Sequence, residues 1–294
     1  MLSIFLCIFL FSSCNKGVEI VIDNIEESFD TSMFRGITPD MYFDELCSVV
    51  GEPNDYLDSG KLTKMPAILI CPGGGYGMVS KRESMPVAIE FLSNEFIPFI
   101  LTYSVGEQFS YPQQLNEVAA SIDYIRKNAD EYGVDENRIF LIGFSAGGHL
   151  VANIGVEYLN YKEYDAKPNG VCLSYPVISR EYGISGGTYD YLLRGLPEEE
   201  KEFLCKKLSF NSSDLSNFPP CFIWTTADDD CVLALNSISF VYKLVETGIK
   251  CEFHMFPTGR HGLSLGTESI NNNEPYLPKI RSWVNMCVDF LKSL

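Results

Sequence analysis

From residue 65 onward, the apolar positions of the chain follow two alternating periods. Short continuous apolar runs occur at PAILICP (66–72), IPFILTYS (97–104), RIFLIGFS (138–145), VCLSYPV (171–177), CFIWTTA (221–227) and CEFHMFP (251–257). Such runs have the character of strands buried on both faces. Between them apolar residues recur at helical spacing, over 84–95, 146–159, and about 232–247 and 278–293. A further helix opens at Tyr111-Pro112 and runs to about Tyr132, with Leu115, Val118, Ala119, Ile122 and Ile125 on one stripe. Two-sided apolar strands separated by helices predict one α/β domain, a mostly parallel sheet covered by helices on both faces. Residues 180–218 break the alternation with a Gly-rich turn and an acidic helix around Pro197–Lys207. A short lid-like insertion there is expected over the carboxyl ends of the strands, where open sheets bind ligands.

The N-terminus has its own pattern. Residues 2–11 (LSIFLCIFLF) form an apolar run, too short to cross a bilayer, which takes about 20 residues, but suited to the core of a signal peptide. Ser12 and Ser13 before Cys14 resemble the bacterial lipoprotein signal, in which the chain is cut before the cysteine and that cysteine is lipidated. On this reading residues 1–13 are the signal, 14–35 a polar tether with Cys14 as lipid anchor, and 36–294 the folded domain. It predicts an exported protein anchored to a bacterial membrane, periplasmic or at the cell surface. An ordinary secretory signal is the alternative, because no Lys or Arg precedes the apolar run.

Composition narrows the partners. Hydrophobic residues make up 46% of the chain, ample for a packed core, and 22 Lys+Arg against 39 Asp+Glu give a formal charge of −17. That balance excludes phosphate-backbone binding, which needs clustered cations, so nucleic acid is not an expected partner. The ten cysteines contain no CxxC pair, which argues against a zinc ribbon or a thioredoxin-type site. Cys71, Cys172, Cys221 and Cys251 fall inside apolar runs and are expected as free buried thiols.

Three motifs on this frame carry chemistry. Gly143-Phe144-Ser145-Ala146-Gly147-Gly148 lies where a strand meets a helix, the context of a G-x-S-x-G turn that lifts Ser145 above the sheet edge as a nucleophile. Pro72-Gly73-Gly74-Gly75-Tyr76 follows an earlier strand, and no GK[ST] comes after it, so phosphate cradling does not fit. Its bare backbone suits an oxyanion hole, with the Ala146 N–H as one donor and Gly74 or Gly75 as the other. A serine also needs a base to take its proton. Of the three histidines, His149 sits one turn into the helix and is expected packed or capped. His254 alternates along a strand as a satisfied sheet residue. His261, in the loop Gly259-Arg260-His261-Gly262, is the base by position. Asp228-Asp229-Asp230, after the strand CFIWTTA, supplies the acid that orients it. Serine, acid and histidine then follow the chain order of α/β-hydrolases.

Together PGGGY, GFSAGGHL, TADDDCV with Asn236-Ser237, and FPTGRHGLSLG resemble the α/β-hydrolase esterases that deacetylate plant polysaccharides. These are the acetyl-xylan and bifunctional acetylxylan/feruloyl esterases, and the resemblance spans residues 66–294. It implies an α/β-hydrolase fold and a serine esterase that works through an acyl-enzyme on acetylated polysaccharides or oligosaccharides, without cofactor or metal. The family pattern places two residues and then Val after the acid, which selects Asp229. Ser80-Lys81-Arg82-Glu83 resembles the segment that shapes the oxyanion loop. The chain departs at Leu233-Ala234-Leu235, where relatives often carry Pro-Val-Glu, and this bears on fine specificity. Tyr76, Tyr182 and Tyr189, with neighbouring Tyr191, are candidate surfaces for stacking sugar rings. A serine peptidase or a lipase-like general carboxylesterase are the enzyme alternatives. A catalytically silent membrane-tethered binding protein is the alternative outside enzymes.

Overall fold

The computed structural model describes residues 64–294 apart from 107–108, 183–186 and 273, together with the backbone of Phe34–Gly36. Its strands are β1 (Phe34–Gly36), β2 (Met65–Cys71), β3 (Ile97–Leu101), β4 (Val134–Phe144), β5 (Gly170–Ser174), β6 (Cys221–Thr226) and β7 (Cys251–Phe256). They form one sheet in the order β1-β3-β2-β4-β5-β6-β7. β2 to β7 run parallel, and β1 pairs antiparallel with β3. The helices are α1 (Met85–Ser93), α2 (Gln113–Lys127), α3 (Ala146–Glu157), α4 (Thr188–Leu192), α5 (Glu198–Lys207), α6 (Leu235–Glu246), α7 (Leu277–Arg281) and α8 (Trp283–Lys292). Among the described residues no helix is long and apolar enough to cross a membrane.

The two-residue repeat of a strand splits the core in two. Ala67, Leu69, Cys71, Leu141, Leu173 and Ile223 face a cluster filled by α2, α3 and α6. Ile68, Ile70, Ile142, Cys172, Phe222 and Trp224 face a second cluster filled by α1 and α8. The central strands are therefore apolar on both faces over 67–71, 139–144, 170–173 and 221–224, as a sheet covered on both faces requires. All seven described cysteines are free thiols, and Cys71, Cys172, Cys205, Cys221 and Cys287 are buried. Burial pushes the Cys71, Cys221 and Cys287 thiols well above their ordinary range.

Four elements differ from the sequence expectation. β1 was not expected, since three residues carry no readable period. Its Phe34 and Arg35 lie inside the segment read as a tether over 14–35, so the sheet reaches back to residue 34. The signal over 1–13 and the anchor Cys14 lie outside the described residues. β4 starts at Val134 rather than near 138, and a register irregularity between Met65 and Ala67 accommodates the polar stretch that follows Val134. The C-terminal helix is two pieces, α7 and α8, with the Ser282 hydroxyl donating to the Lys279 carbonyl (2.7 Å) at their junction. The insertion contains α4 as well as the acidic helix α5. In α5, Glu198, Glu199 and Glu200 occupy the first turn and Lys206 and Lys207 the last, the charge order that a helix dipole favours.

Trp283, the first residue of α8, links this packing to the loop after β7. It is fully buried and stacks on Trp224 at 5.2 Å between ring centroids, and its Nε1–H donates to the Ser264 carbonyl (3.0 Å). Trp283→Ala is expected to destabilise the fold by about 3–5 kcal/mol, measured as a lower urea midpoint at unchanged slope.

Candidate active site

Ser145 sits between β4 and α3 with φ 54° and ψ −116°, a left-handed conformation that a non-glycine residue holds only under constraint. The constraint is close backbone contact on both sides. A Cβ on Gly143 would come within 2.2 Å of the Gly147 carbonyl oxygen, and one on Gly147 within 2.1 Å of the Cys71 carbonyl oxygen. Both positions therefore require glycine. The Ser145 N–H donates to the Ser174 carbonyl (3.0 Å), and its own carbonyl accepts from His149 and Val177 N–H, so the strained residue is held from three sides.

The other two predicted groups arrive from the ends of neighbouring strands. Asp229 follows β6 and is 2% exposed, whereas Asp228 and Asp230 are exposed. One Asp229 oxygen, Oδ1, accepts from the N–H groups of Cys231 and Val232, each at 2.9 Å. Oδ2 is thereby aimed at the loop after β7, where it accepts from His261 Nδ1 at 2.7 Å. Nδ1 therefore carries the proton, and His261 Nε2 accepts from the Ser145 hydroxyl at 2.8 Å. Asp228 Oδ1 accepts from the Gly259 N–H (2.7 Å), tying the base of the histidine loop to the end of β6. The structure thus brings Ser145, His261 and Asp229 into one hydrogen-bonded chain. Such a chain can move the serine proton to the imidazole while the carboxylate holds the resulting cation.

The Gly73–Gly75 loop lies against the nucleophile turn, with the place of a Gly73 Cβ only 3.1 Å from the Ser145 Cβ. The Gly73 N–H is taken by the Glu83 carboxylate at 2.8 Å. The N–H groups of Gly74, Gly75 and Ala146 donate to no described acceptor. Gly74 and Gly75 have φ 131° and 62°, which turn the backbone sharply beside the serine. The Ser80–Glu83 segment does shape this loop. The Ser80 N–H donates to the Gly73 carbonyl, and the Arg82 guanidinium donates to the Gly262 carbonyl beside His261, both at 2.9 Å.

The tyrosines require correction. Tyr76 is 2% and Tyr189 6% exposed, too buried to offer a sugar ring an open face. Tyr76 donates its hydroxyl to His149 Nδ1 (2.9 Å), and Tyr189 donates its hydroxyl to the Leu208 carbonyl (2.9 Å). Tyr182 keeps part of its surface in solvent at the end of the turn Arg180–Tyr182. Tyr191 is 40% exposed and covers the oxyanion loop, since a Cβ on Gly77 would meet its ring at 3.4 Å. A cleft of about 450 Å³ opens within the insertion between Arg180, Tyr189, Asp190 and Cys205, and Ser145, Asp229 and His261 do not line it. Sequence reasoning missed Tyr175, whose ring lies edge-on to His261 at 5.1 Å. Its position directly after β5 was the available signal.

The remaining histidines are structural. His254 Nε2 meets Glu252 Oε1 at 2.7 Å and its ring lies beside Phe222. His149 is fully buried, and its Nε2 meets the Leu208 carbonyl at 3.0 Å. A carbonyl only accepts, so Nε2 carries the proton and Nδ1 accepts from Tyr76. This neutral imidazole joins the nucleophile helix, the oxyanion loop and the insertion.

Known proteins share this fold. The BD-FAE family model matches residues 55–186. An acetyl ester-xyloside bifunctional hydrolase from Caldicellulosiruptor lactoaceticus superposes with a TM-score of 0.69 at 32% identity, covering 81% of this chain and 85% of that one. A carboxylesterase from Lactobacillus plantarum superposes at 0.71 with 27% identity, covering 80% and 88%. The chain belongs to the α/β-hydrolase esterases. Among curated relatives, endo-1,4-β-xylanase B of Butyrivibrio fibrisolvens is 33% identical over 70% of this chain and 33% of its own length. The acetylxylan esterase of Xylanibacter ruminicola is 29% identical over 68% of this chain and 42% of its own length. The chain thus spans less than half of either curated relative.

Burial lowers His149 from 6.5 to about 4, because the charged form loses its solvation. On unfolding, the imidazole takes up a proton anywhere between those values. Its contribution to stability is therefore complete above about pH 6.5 and lost as pH falls toward 4, up to about 3 kcal/mol. Urea unfolding across this range is expected to show that loss in the parent and a flatter dependence in His149→Gln.

Proposed function

We propose that the protein is a serine esterase that deacetylates plant polysaccharides or their oligosaccharides through an acyl-enzyme. The observation that carries the proposal is the unbroken chain from Ser145 Oγ through His261 to Asp229, at 2.8 and 2.7 Å. In this mechanism the Ser145 hydroxyl gives its proton to His261 Nε2 as its oxygen attacks the ester carbonyl. Asp229 stabilises the imidazolium. The negative charge on the carbonyl oxygen is met by the N–H groups of Ala146 and of Gly74 or Gly75, each such donor worth roughly 3–4 kcal/mol in the transition state. The proton on His261 passes to the departing sugar oxygen, leaving an acetyl group esterified to the Ser145 oxygen. His261 then takes a proton from water as that water attacks the acyl carbonyl, and it passes this proton to the Ser145 oxygen as acetic acid leaves. The acetylated-carbohydrate assignment is supported by the names of the xylan-linked relatives. A net charge of −17 also suits neutral acetylated sugars, which need no cationic surface.

Ser145→Ala is expected to lower 4-nitrophenyl acetate turnover at least about a thousandfold with native far-UV circular dichroism. Acetate release should be fastest from acetylated xylan when acetylated xylan, acetylated mannan, pectin and feruloylated arabinoxylan are compared. Turnover of simple aryl esters alone would remove the polysaccharide assignment.

The same proposal includes export and lipid anchoring through Cys14, supported by the apolar run over 2–11 and by Ser12-Ser13-Cys14. Cys14→Ser is expected to move the protein from the membrane to the soluble fraction of expressing bacteria. An unchanged distribution would rule out the lipid anchor.

A further inference from the structure

We propose that Glu83 and Tyr175 are a positioning pair that sets the oxyanion loop and the His261 loop in register with each other. The inference rests on the serine-esterase reading of Ser145, and it concerns two residues outside the hydrogen-bonded chain of Ser145, His261 and Asp229.

Glu83 is a carboxylate only 3% exposed, and both of its oxygens are occupied. Oε2 accepts from the Gly73 N–H at 2.8 Å and Oε1 from the Tyr175 hydroxyl at 2.6 Å. The Tyr175 oxygen in turn accepts from the Ser264 N–H at 2.9 Å. A single chain of hydrogen bonds thus runs from the glycine beside Ser145 to the residue three places beyond His261. Burial, with the Glu83 carboxylate second, pushes the Tyr175 hydroxyl well above the ordinary phenol range, so it keeps its proton and remains a donor to Glu83.

The backbone shows what this chain holds in place. Tyr175 and Ser264 both have positive φ, 38° and 51°, a conformation that a non-glycine residue keeps only where its surroundings over-determine it. Both strained residues are joined at the one phenol oxygen. Next to Glu83, the Arg82 carbonyl accepts from the Ser264 hydroxyl (2.7 Å) and its guanidinium donates to the Gly262 carbonyl (2.9 Å). Two consecutive residues therefore hold the histidine loop at Gly262 and Ser264 and the oxyanion loop at Gly73. The Tyr175 ring also rests edge-on against His261. With the Gly73 N–H occupied, Gly74 and Gly75 follow from a fixed point.

Acyl transfer makes such a tie useful. Negative charge grows on the oxyanion while positive charge grows on the imidazole, and the groups that meet these charges stand on separate loops. Errors of even an ångström in their spacing cost rate rather than ground-state binding. Glu83 is far from its partner Tyr175 in sequence, so the tie connects parts of the chain that local folding alone would not align.

The test measures kcat and KM on 4-nitrophenyl acetate, with far-UV circular dichroism, for Tyr175→Phe, Glu83→Gln and the double variant. Tyr175→Phe keeps the ring beside His261 and removes the shared hydroxyl. Its kcat is expected to fall about tenfold to a hundredfold, with KM within about twofold and a native spectrum. Glu83→Gln should lose a similar factor, and the double variant no more than the larger single loss, because one chain is broken in each. A Tyr175→Phe kcat within about twofold of the parent overturns the proposal, as does a change confined to KM or single losses that multiply in the double variant. If Glu83→Gln fails to fold, the split between kcat and KM in Tyr175→Phe decides alone. Ser145→Ala separates the two levels. Residual full turnover there removes the serine reading itself, whereas a dead Ser145→Ala beside a fully active Tyr175→Phe removes the positioning pair alone.

Discussion

Three stretches of bare backbone meet beneath Ser145, and the rest of the molecule is arranged so that they can. The end of β2, the end of β4 and the first turn of α3 approach so closely that side chains on Gly73, Gly143 or Gly147 would strike neighbouring carbonyl oxygens. This contact is what allows Ser145 to stay in a conformation it would otherwise leave. It depends on register. β2 and β4 are parallel neighbours with Cys71 opposite Gly143, so the loops that follow them emerge side by side. A slip of one residue would exchange the two apolar faces of the sheet, and the two-sided core forbids it. The hydrophobic pattern thus fixes the site's geometry as well as the fold.

Parallel strands also explain why the partners of Ser145 come from so far along the chain. β4, β6 and β7 end at the same edge of the sheet, and each contributes one member of the hydrogen-bonded chain from the loop that follows it. The two aspartate oxygens divide the work, one held by local amides and the other presented to His261. The insertion joins the same edge through His149, whose imidazole takes Tyr76 on one side and Leu208 on the other. Its packing against the oxyanion loop is therefore part of the interior and is not left to a mobile flap.

Much of this was legible in the sequence, for identifiable reasons. Apolar runs and helical stripes repeat many times, so the sheet and its cover could be read from period alone. Ser145 and His261 were legible because glycines and chain order mark them. The residues alone left the three aspartates open, and burial distinguishes them, since only Asp229 is withdrawn from solvent. Tyr76 and Tyr189 misled because composition reports an aromatic ring without its exposure. The bonds among Glu83, Tyr175 and Ser264 were not legible. They join single polar residues separated by 92 and 89 positions, and no local period encodes such a pairing. β1 escaped for the opposite reason, being too short to show any period.

The thiols have a consequence for how the molecule ages. Five of the seven described cysteines are buried, and burial raises Cys71, Cys221 and Cys287, which suppresses the thiolate that oxidants and alkylating agents attack. Oxidants would find little to react with at these three thiols while the sheet is closed. Cys71 ends the strand that leads into the oxyanion loop, and Cys287 lies in the helix behind Trp283. Chemical labelling at those two sulfurs would therefore date the separate openings of the two halves of the core, each cysteine acting as a timestamp for its own side of the sheet.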